Sequence, residues 1–268
     1  MRRNGKMWMA LLGLVFAAAV AAVSYGAQSG PGMDLVTAAD GRTVREEAQS
    51  LGEPGQPGGA DGTGAEAAVS TGAEDRDVLT DPEITGDTDK LLVVRGQGGA
   101  SVRVVYYREE SGAWSQVFGT EGVWGLNGCT DDKREGDKKT PCGVYRFNQA
   151  FGILDDPGAV LPYHKVTEDD YWVDDPDSRH YNRMVNASQV EKDWNSAEHL
   201  IQVSPYYNYA LSLTYNEEAV PGKGSAIFLH CTAEGYPGSS GCICIPEPEM
   251  RTILCQADER TKIVILEN

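Results

Sequence analysis

The sequence predicts a mainly β domain with a few short helices over residues 90–268, preceded by a disordered linker. Two observations predict it. Short β-branched and aromatic runs recur along the second two-thirds of the chain, and turn signals such as Gly96-Gln97-Gly98-Gly99 and Ser111-Gly112 separate them. Ahead of them, residues 27–89 are acidic, rich in Gly and Pro and poor in aromatics. Such a stretch buries too little apolar surface to offset the entropy of ordering it.

In chain order, Arg2, Arg3 and Lys6 precede an apolar run over 7–23, the layout of a secretory signal. The run is slightly shorter than the ~20 residues that span a bilayer. Residues 1–26 therefore read as either a signal peptide or an N-terminal membrane anchor. The linker follows, centred on Gly52-Glu53-Pro54-Gly55-Gln56-Pro57-Gly58-Gly59, and order is expected to begin near Lys90. Strands are expected at 91–95, 101–107, 114–118, 143–147, 171–173, 200–203, 209–215, 225–230, 242–245 and 262–266. A helix is expected at 247–256, where Pro248 sits in the first turn and Met250, Ile253 and Leu254 form a stripe.

The 268-residue chain has a formal net charge of -17. That balance excludes nucleic acid as a partner, because phosphate binding needs clustered Lys and Arg. It suits an exported protein. Neither a metal nor a cofactor is called for: the acidic pairs lack the alternating spacing of a calcium loop, and the cysteines lack zinc spacing. Cys129 and Cys142 would close a plausible disulfide loop, with most other thiols free. The sequence does not set the oligomeric state.

The chemistry concentrates in an apolar strand ending at His230 and a second strand opening at Cys242. A thiol with an ordinary pKa of about 8.5 needs a neighbouring base, and His230 is the nearest in sequence. Gly241 lets the backbone approach a reacting carbonyl, and the amides of Gly241 and Cys242 are candidate oxyanion donors. A cysteine in an apolar strand is more often packing than nucleophile. A charged loop, Arg134-Glu135-Gly136-Asp137-Lys138-Lys139-Thr140-Pro141-Cys142-Gly143-Val144-Tyr145, runs directly into a strand. Most such charge runs are solvated hairpin tips.

That loop, Ala150-Phe151-Gly152, Tyr171-Trp172-Val173-Asp174-Asp175, Ser196-Ala197-Glu198-His199 and the run ending at His230 together resemble the L,D-transpeptidase catalytic domain, the YkuD family. The resemblance spans residues 90–268. It implies a β-sandwich-like fold and a cysteine nucleophile that carbapenems acylate. Cys242 would attack the peptidoglycan stem tetrapeptide before its terminal D-alanine, with His230 as base and Ser240, Gly241 and Cys242 forming the oxyanion pocket. An amine of a second stem would then complete a 3-3 cross-link. Water as acceptor would give a carboxypeptidase, and loss of the chemistry a wall-binding module. Ser240 and Cys244 stand where the family has His and Arg, and Ser240 is expected to supply a hydroxyl for the missing imidazole. Arg134, Lys139 and Arg183 are candidate ligands for stem carboxylates, and Tyr209 for the peptide cleft. The resemblance places the protein outside the cytoplasm, at the wall, secreted or tethered to the membrane by its N-terminal segment.

Overall fold

The structure, a computed structural model, describes residues 75–268. The expected signal or anchor at 1–26, and the expected linker as far as residue 74, lie outside the described residues. Among the described residues no helix is long and apolar enough to cross a membrane.

Two short helices, α1 (Arg76–Leu79) and α2 (Pro82–Thr85), precede three long antiparallel strands, β1 (Lys90–Gly98), β2 (Ser101–Glu110) and β3 (Ala113–Val123). The charged loop contributes the two-residue strands β4 (Cys129–Thr130) and β5 (Thr140–Pro141) and leads into β6 (Gly143–Gly152) and β7 (Tyr163–Lys165). A separate three-stranded sheet holds β8 (Asp170–Val173) between β9 (Arg183–Asn186) and β10 (Ala197–His199). The chain then returns through β11 (Ala210–Leu213), β12 (Phe228–Cys231), β13 (Ile243–Ile245), α3 (Glu247–Leu254) and β14 (Lys262–Leu266). The mainly β fold with few short helices is therefore the observed one.

The main sheet runs β11-β12-β13-β3-β2-β1-β14-β6-β7, and β11 also pairs with β6. That extra pairing closes the sheet around an apolar core that includes Leu92, Val94, Tyr106, Leu229, Ile243 and Ile263. Successive side chains of a strand point to opposite faces. In β1, accordingly, Leu92 and Val94 enter this core while Leu91 and Val93 face outward.

The outward residues explain one departure from expectation. Residues 75–89, assigned to the linker, are folded. The run Leu91-Leu92-Val93-Val94 does not alternate, so β1 is apolar on both faces and its outer face needs a cover. Val78 and Leu79 of α1 supply it, packing with Leu91, Val93, Tyr107 and Val264. Burial of each such side chain is worth about 1.5–3 kcal/mol. Asp75 fixes the start of this segment by accepting from Arg95 Nε at 2.6 Å and from Tyr107 Oη at 2.7 Å. Lys262 Nζ fixes its end through the Ile84 carbonyl at 2.7 Å.

A second departure concerns 200–203. The expected strand is a 3₁₀ turn at Leu200–Gln202, because β10 pairs with β8 only through His199, and Leu200 then turns inward to full burial. The expected helix is present as α3, with Met250, Ile253 and Leu254 buried.

Cys129 and Cys142 form a disulfide across a separation of 13 residues, and Cys231, Cys242, Cys244 and Cys255 are free. The bond closes the charged loop. Replacing both cysteines of the bridge with alanine is expected to lower unfolding free energy by about 3 kcal/mol, measured by urea denaturation beside the wild type.

Candidate active site

The candidate base His230 lies on β12, and the candidate nucleophile Cys242 immediately precedes the neighbouring parallel strand β13. β12 pairs with β13 in the register Leu229 to Ile243, His230 to Cys244 and Cys231 to Ile245. Cys242 is buried and lines a cavity of about 490 Å³ that it shares with His230, Lys133, Glu135, Glu198 and Tyr207. A larger groove, about 680 Å³, lies between Trp172, Arg183 and Tyr215 and does not contain the thiol.

Backbone contacts fix the approach to Cys242. Gly241 has φ of +151°, and a Cβ there would stand 3.0 Å from the Lys139 carbonyl oxygen and 3.1 Å from Ile227 Cδ1. Only glycine fits this position. The Gly241 carbonyl accepts from Thr140 Oγ1 at 2.9 Å, and Thr140 Oγ1 accepts from the Gly125 amide at 2.9 Å. Thr140 is fully buried. The charged loop therefore works as a brace for the turn before Cys242, which a solvated hairpin tip could not do.

The hydroxyl that braces the turn before Cys242 belongs to Ser239, not to Ser240 as expected. Ser239 is buried; its Oγ accepts the Gly241 N–H at 2.9 Å and donates to the Cys242 carbonyl at 2.6 Å. Ser240 is exposed at the cavity rim. The Gly241 amide is thus already occupied and is not a free oxyanion donor. Among the described residues neither the Ser240 nor the Cys242 amide has a hydrogen-bond partner, so these two are free to face a substrate oxygen.

The thiol and the imidazole each have a different partner at rest. Cys242 Sγ donates to the Ala226 carbonyl at 3.1 Å and accepts from the Phe228 amide at 3.4 Å. Ala226 is held in a left-handed conformation, φ +53°, by Asn182 Oδ1, which accepts both its amide and Trp172 Nε1 at 3.1 Å. His230 Nδ1 lies 2.7 Å from the Cys231 carbonyl, which makes it the protonated nitrogen and leaves Nε2 with the free lone pair. Nε2 faces Cys244 Sγ at 3.4 Å. The register dictates this, since Cys244 stands directly opposite His230.

Both groups are neutral in this resting arrangement. Burial pushes the His230 pKa down to about 4, with the Cys231 carbonyl opposing the shift. Burial also pushes the Cys242 thiol up, and the Glu198 charge adds to the rise, while the Phe228 amide and the Lys133 ammonium oppose it. The two groups therefore form no preformed ion pair.

The expected substrate ligands are not brought to this cavity. Arg134 reaches outward to Asp132 at 2.7 Å, with its side chain 72% exposed. Lys139 contributes backbone: its amide donates to Asp137 and its carbonyl abuts Gly241. Arg183 donates to the carbonyls of Asn182 and Glu217 beside the larger groove. Tyr209 is buried in the core, so it lines no peptide cleft. The cation that does reach the cavity is Lys133, whose side chain is 3% exposed and paired with Asp137 at 2.7 Å. Lys133, Thr140, Asn182, Glu198 and Ser239 are the site residues that sequence reasoning missed. Of these, Thr140 and Glu198 stand within the runs that carry the family resemblance, which marked their neighbourhood but not their roles.

Two outcomes follow from this geometry. Gly241→Ala is expected to lose reaction of Cys242 with acylating ligands and to cost about 1–3 kcal/mol of stability, read by intact mass and thermal melting. The folded pKa of His230 lies below its ordinary 6.5, so its burial as a neutral ring contributes stability that is present above 6.5 and lost as pH falls towards about 4. His230→Gln is expected to flatten that slope, measured as melting temperature against pH.

The model of the YkuD family, the L,D-transpeptidase catalytic domain, matches residues 87–265. No curated protein matches the chain. Among solved structures, Bdellovibrio bacteriovorus Bd1075 is similar at 13% identity with a TM-score of 0.37, over 68% of this chain and 49% of that one. The Enterococcus faecium L,D-transpeptidase, solved as a cysteine-to-serine mutant, is similar at 12% identity with a TM-score of 0.32, over 67% of this chain and 50% of that one. The chain thus spans about half the length of the solved structures it matches. With the family's model covering two-thirds of its length, this chain belongs to the L,D-transpeptidase catalytic domain family.

Proposed function

We propose that the chain is a peptidoglycan L,D-transpeptidase that works outside the cytoplasm through a Cys242 acyl-enzyme. The observation that carries this reading is the shared cavity of Cys242 and His230 on adjacent strands, with Gly241 held by Thr140. A stem tetrapeptide enters with the carbonyl before its terminal D-alanine against the Ser240 and Cys242 amides. The Cys242 proton leaves the Ala226 carbonyl for His230 Nε2, displacing the Cys244 contact, and sulfur bonds to the carbonyl carbon. Collapse of the tetrahedral adduct breaks the bond to D-alanine, whose nitrogen takes the proton from His230. A thioester remains on Cys242. Attack on it by a side-chain amine of a second stem gives the 3-3 cross-link.

A second reading, a wall-binding module without activity, is favoured by one observation: His230 Nε2 faces Cys244 and not Cys242. Intact-mass spectrometry after incubation with a carbapenem separates the two. An adduct on the wild type and none on Cys242→Ala is the expected result. A folded, reduced wild type that gains no mass overturns the enzyme reading.

A further inference from the structure

The Cys242 cavity contains a carboxylate for which the acylation step has no use. Glu198 lies on β10, opposite Trp172 of β8, and lines the cavity together with Cys242 and His230. Tyr207 Oη donates to its Oε2 at 2.5 Å, and among the described residues Oε1 has no hydrogen-bond partner. Tyr207 in turn packs edge-on against the His230 ring, 5.1 Å between centroids. The charged and titratable groups that share the cavity with Glu198 are Asp174 and Glu135, the Lys133 ammonium, His230, Tyr207 and Cys242, with Tyr236 at its edge.

We propose that Glu198 is a catalytic base for the second half-reaction, taking a proton from an alkylammonium acyl acceptor, so that the cavity is built for an amine and not for water. This rests on the acyl-enzyme reading above and deepens it.

A proton count carries the argument. Water attacking the thioester gives a carboxylic acid and a thiol, and His230 alone can move the one proton that passes from water to sulfur. An alkylamine has an ordinary pKa of about 10.4 and arrives as an ammonium with three protons on nitrogen. The amide product keeps one, and the departing Cys242 sulfur takes a second by way of His230. The third needs another acceptor. With Glu198 as carboxylate, R–NH₃⁺, the thioester and Glu–COO⁻ become the amide, Cys242–SH and Glu–COOH, and both protons and charge balance. Nitrogen bonds to the carbonyl carbon as the carbon–sulfur bond breaks.

The environment suits the task. Burial pushes the Glu198 carboxyl up to about 7, the Asp174 and Glu135 charges add to the rise, and the Tyr207 hydroxyl opposes it. Such a group is ionised in part at neutral pH and is a far stronger base than His230, held near 4. Its charge also attracts an ammonium.

The test measures how the acyl-enzyme partitions. The full chain is given a stem tetrapeptide as donor and Nα-acetyllysine amide as acceptor, and amide and acid products are quantified by mass spectrometry. In Glu198→Gln, which keeps an acceptor for Tyr207, the amide-to-acid ratio is expected to fall by about 100-fold. Hydroxylamine, already neutral at neutral pH, needs no third-proton acceptor and is expected to restore amide-type product in the variant. Wild-type amide formation is expected to rise with pH through a midpoint near 7. Tyr207→Phe removes the bond that holds the carboxyl down, so the midpoint moves to higher pH, a shift that a merely structural role would not produce. An unchanged ratio in Glu198→Gln, or an unmoved midpoint in Tyr207→Phe, overturns the proposal alone. A wild type that never forms the acyl-enzyme overturns the transpeptidase reading and this one with it.

Discussion

The Thr140 hydroxyl is out of contact with solvent and uses both of its hydrogen-bonding functions on backbone, taking the Gly125 amide and giving its proton to the Gly241 carbonyl. Three separate stretches of chain meet at this oxygen. Around it the Cys129–Cys142 disulfide closes the loop, Asp137 receives the buried Lys133 and the amides of Arg134 and Lys139, and Gly241 packs against the Lys139 carbonyl. A buried donor or acceptor left unpaired costs roughly 1–3 kcal/mol. The arrangement therefore resists partial loosening, and the thiol that follows Gly241 inherits its position from it.

Electrostatically the site differs from the rest of the molecule. The chain as a whole is strongly acidic, yet Cys242 and His230 carry no charge at rest, since low-dielectric surroundings favour the neutral form of both groups. Ionisable groups of both signs, Lys133 with Glu135, Asp174 and Glu198, line the same cavity. Neutral groups among fixed charges of both signs are suited to a reaction in which charge appears only as bonds change.

Much of this was legible in the sequence. The mainly β fold, most strands, α3, the adjacency of the strands bearing His230 and Cys242, and the special status of Gly241 all follow from runs, turns and residue types. What escaped was decided by tertiary placement. Ser239 and Ser240 are equivalent as letters, and only the bridge between Ser239 and Gly125 turns the first inward and the second out. Lys133 and Arg134 are adjacent cations, and Asp137 captures the first while the second reaches solvent. Tyr209 sits in an aromatic run, but its ring goes to the core. The ordered segment at 75–89 has a loop-like composition, and its order comes from the outer face of β1 that it covers.

That cover also lies far, in strand order, from Cys242 and His230. In the closed sheet, β2 and β3 separate β1 from β13 on one side, and β6 and β11 separate β14 from β12 on the other. The strands that receive residues 75–89 are thus across the barrel from those that hold the thiol and the imidazole. Asp75, Arg95 and Lys262 pin that segment beside the parallel β1–β14 pair. A substitution within 75–89 therefore reaches the turn before Cys242 only at second hand, through the sheet that lies between them.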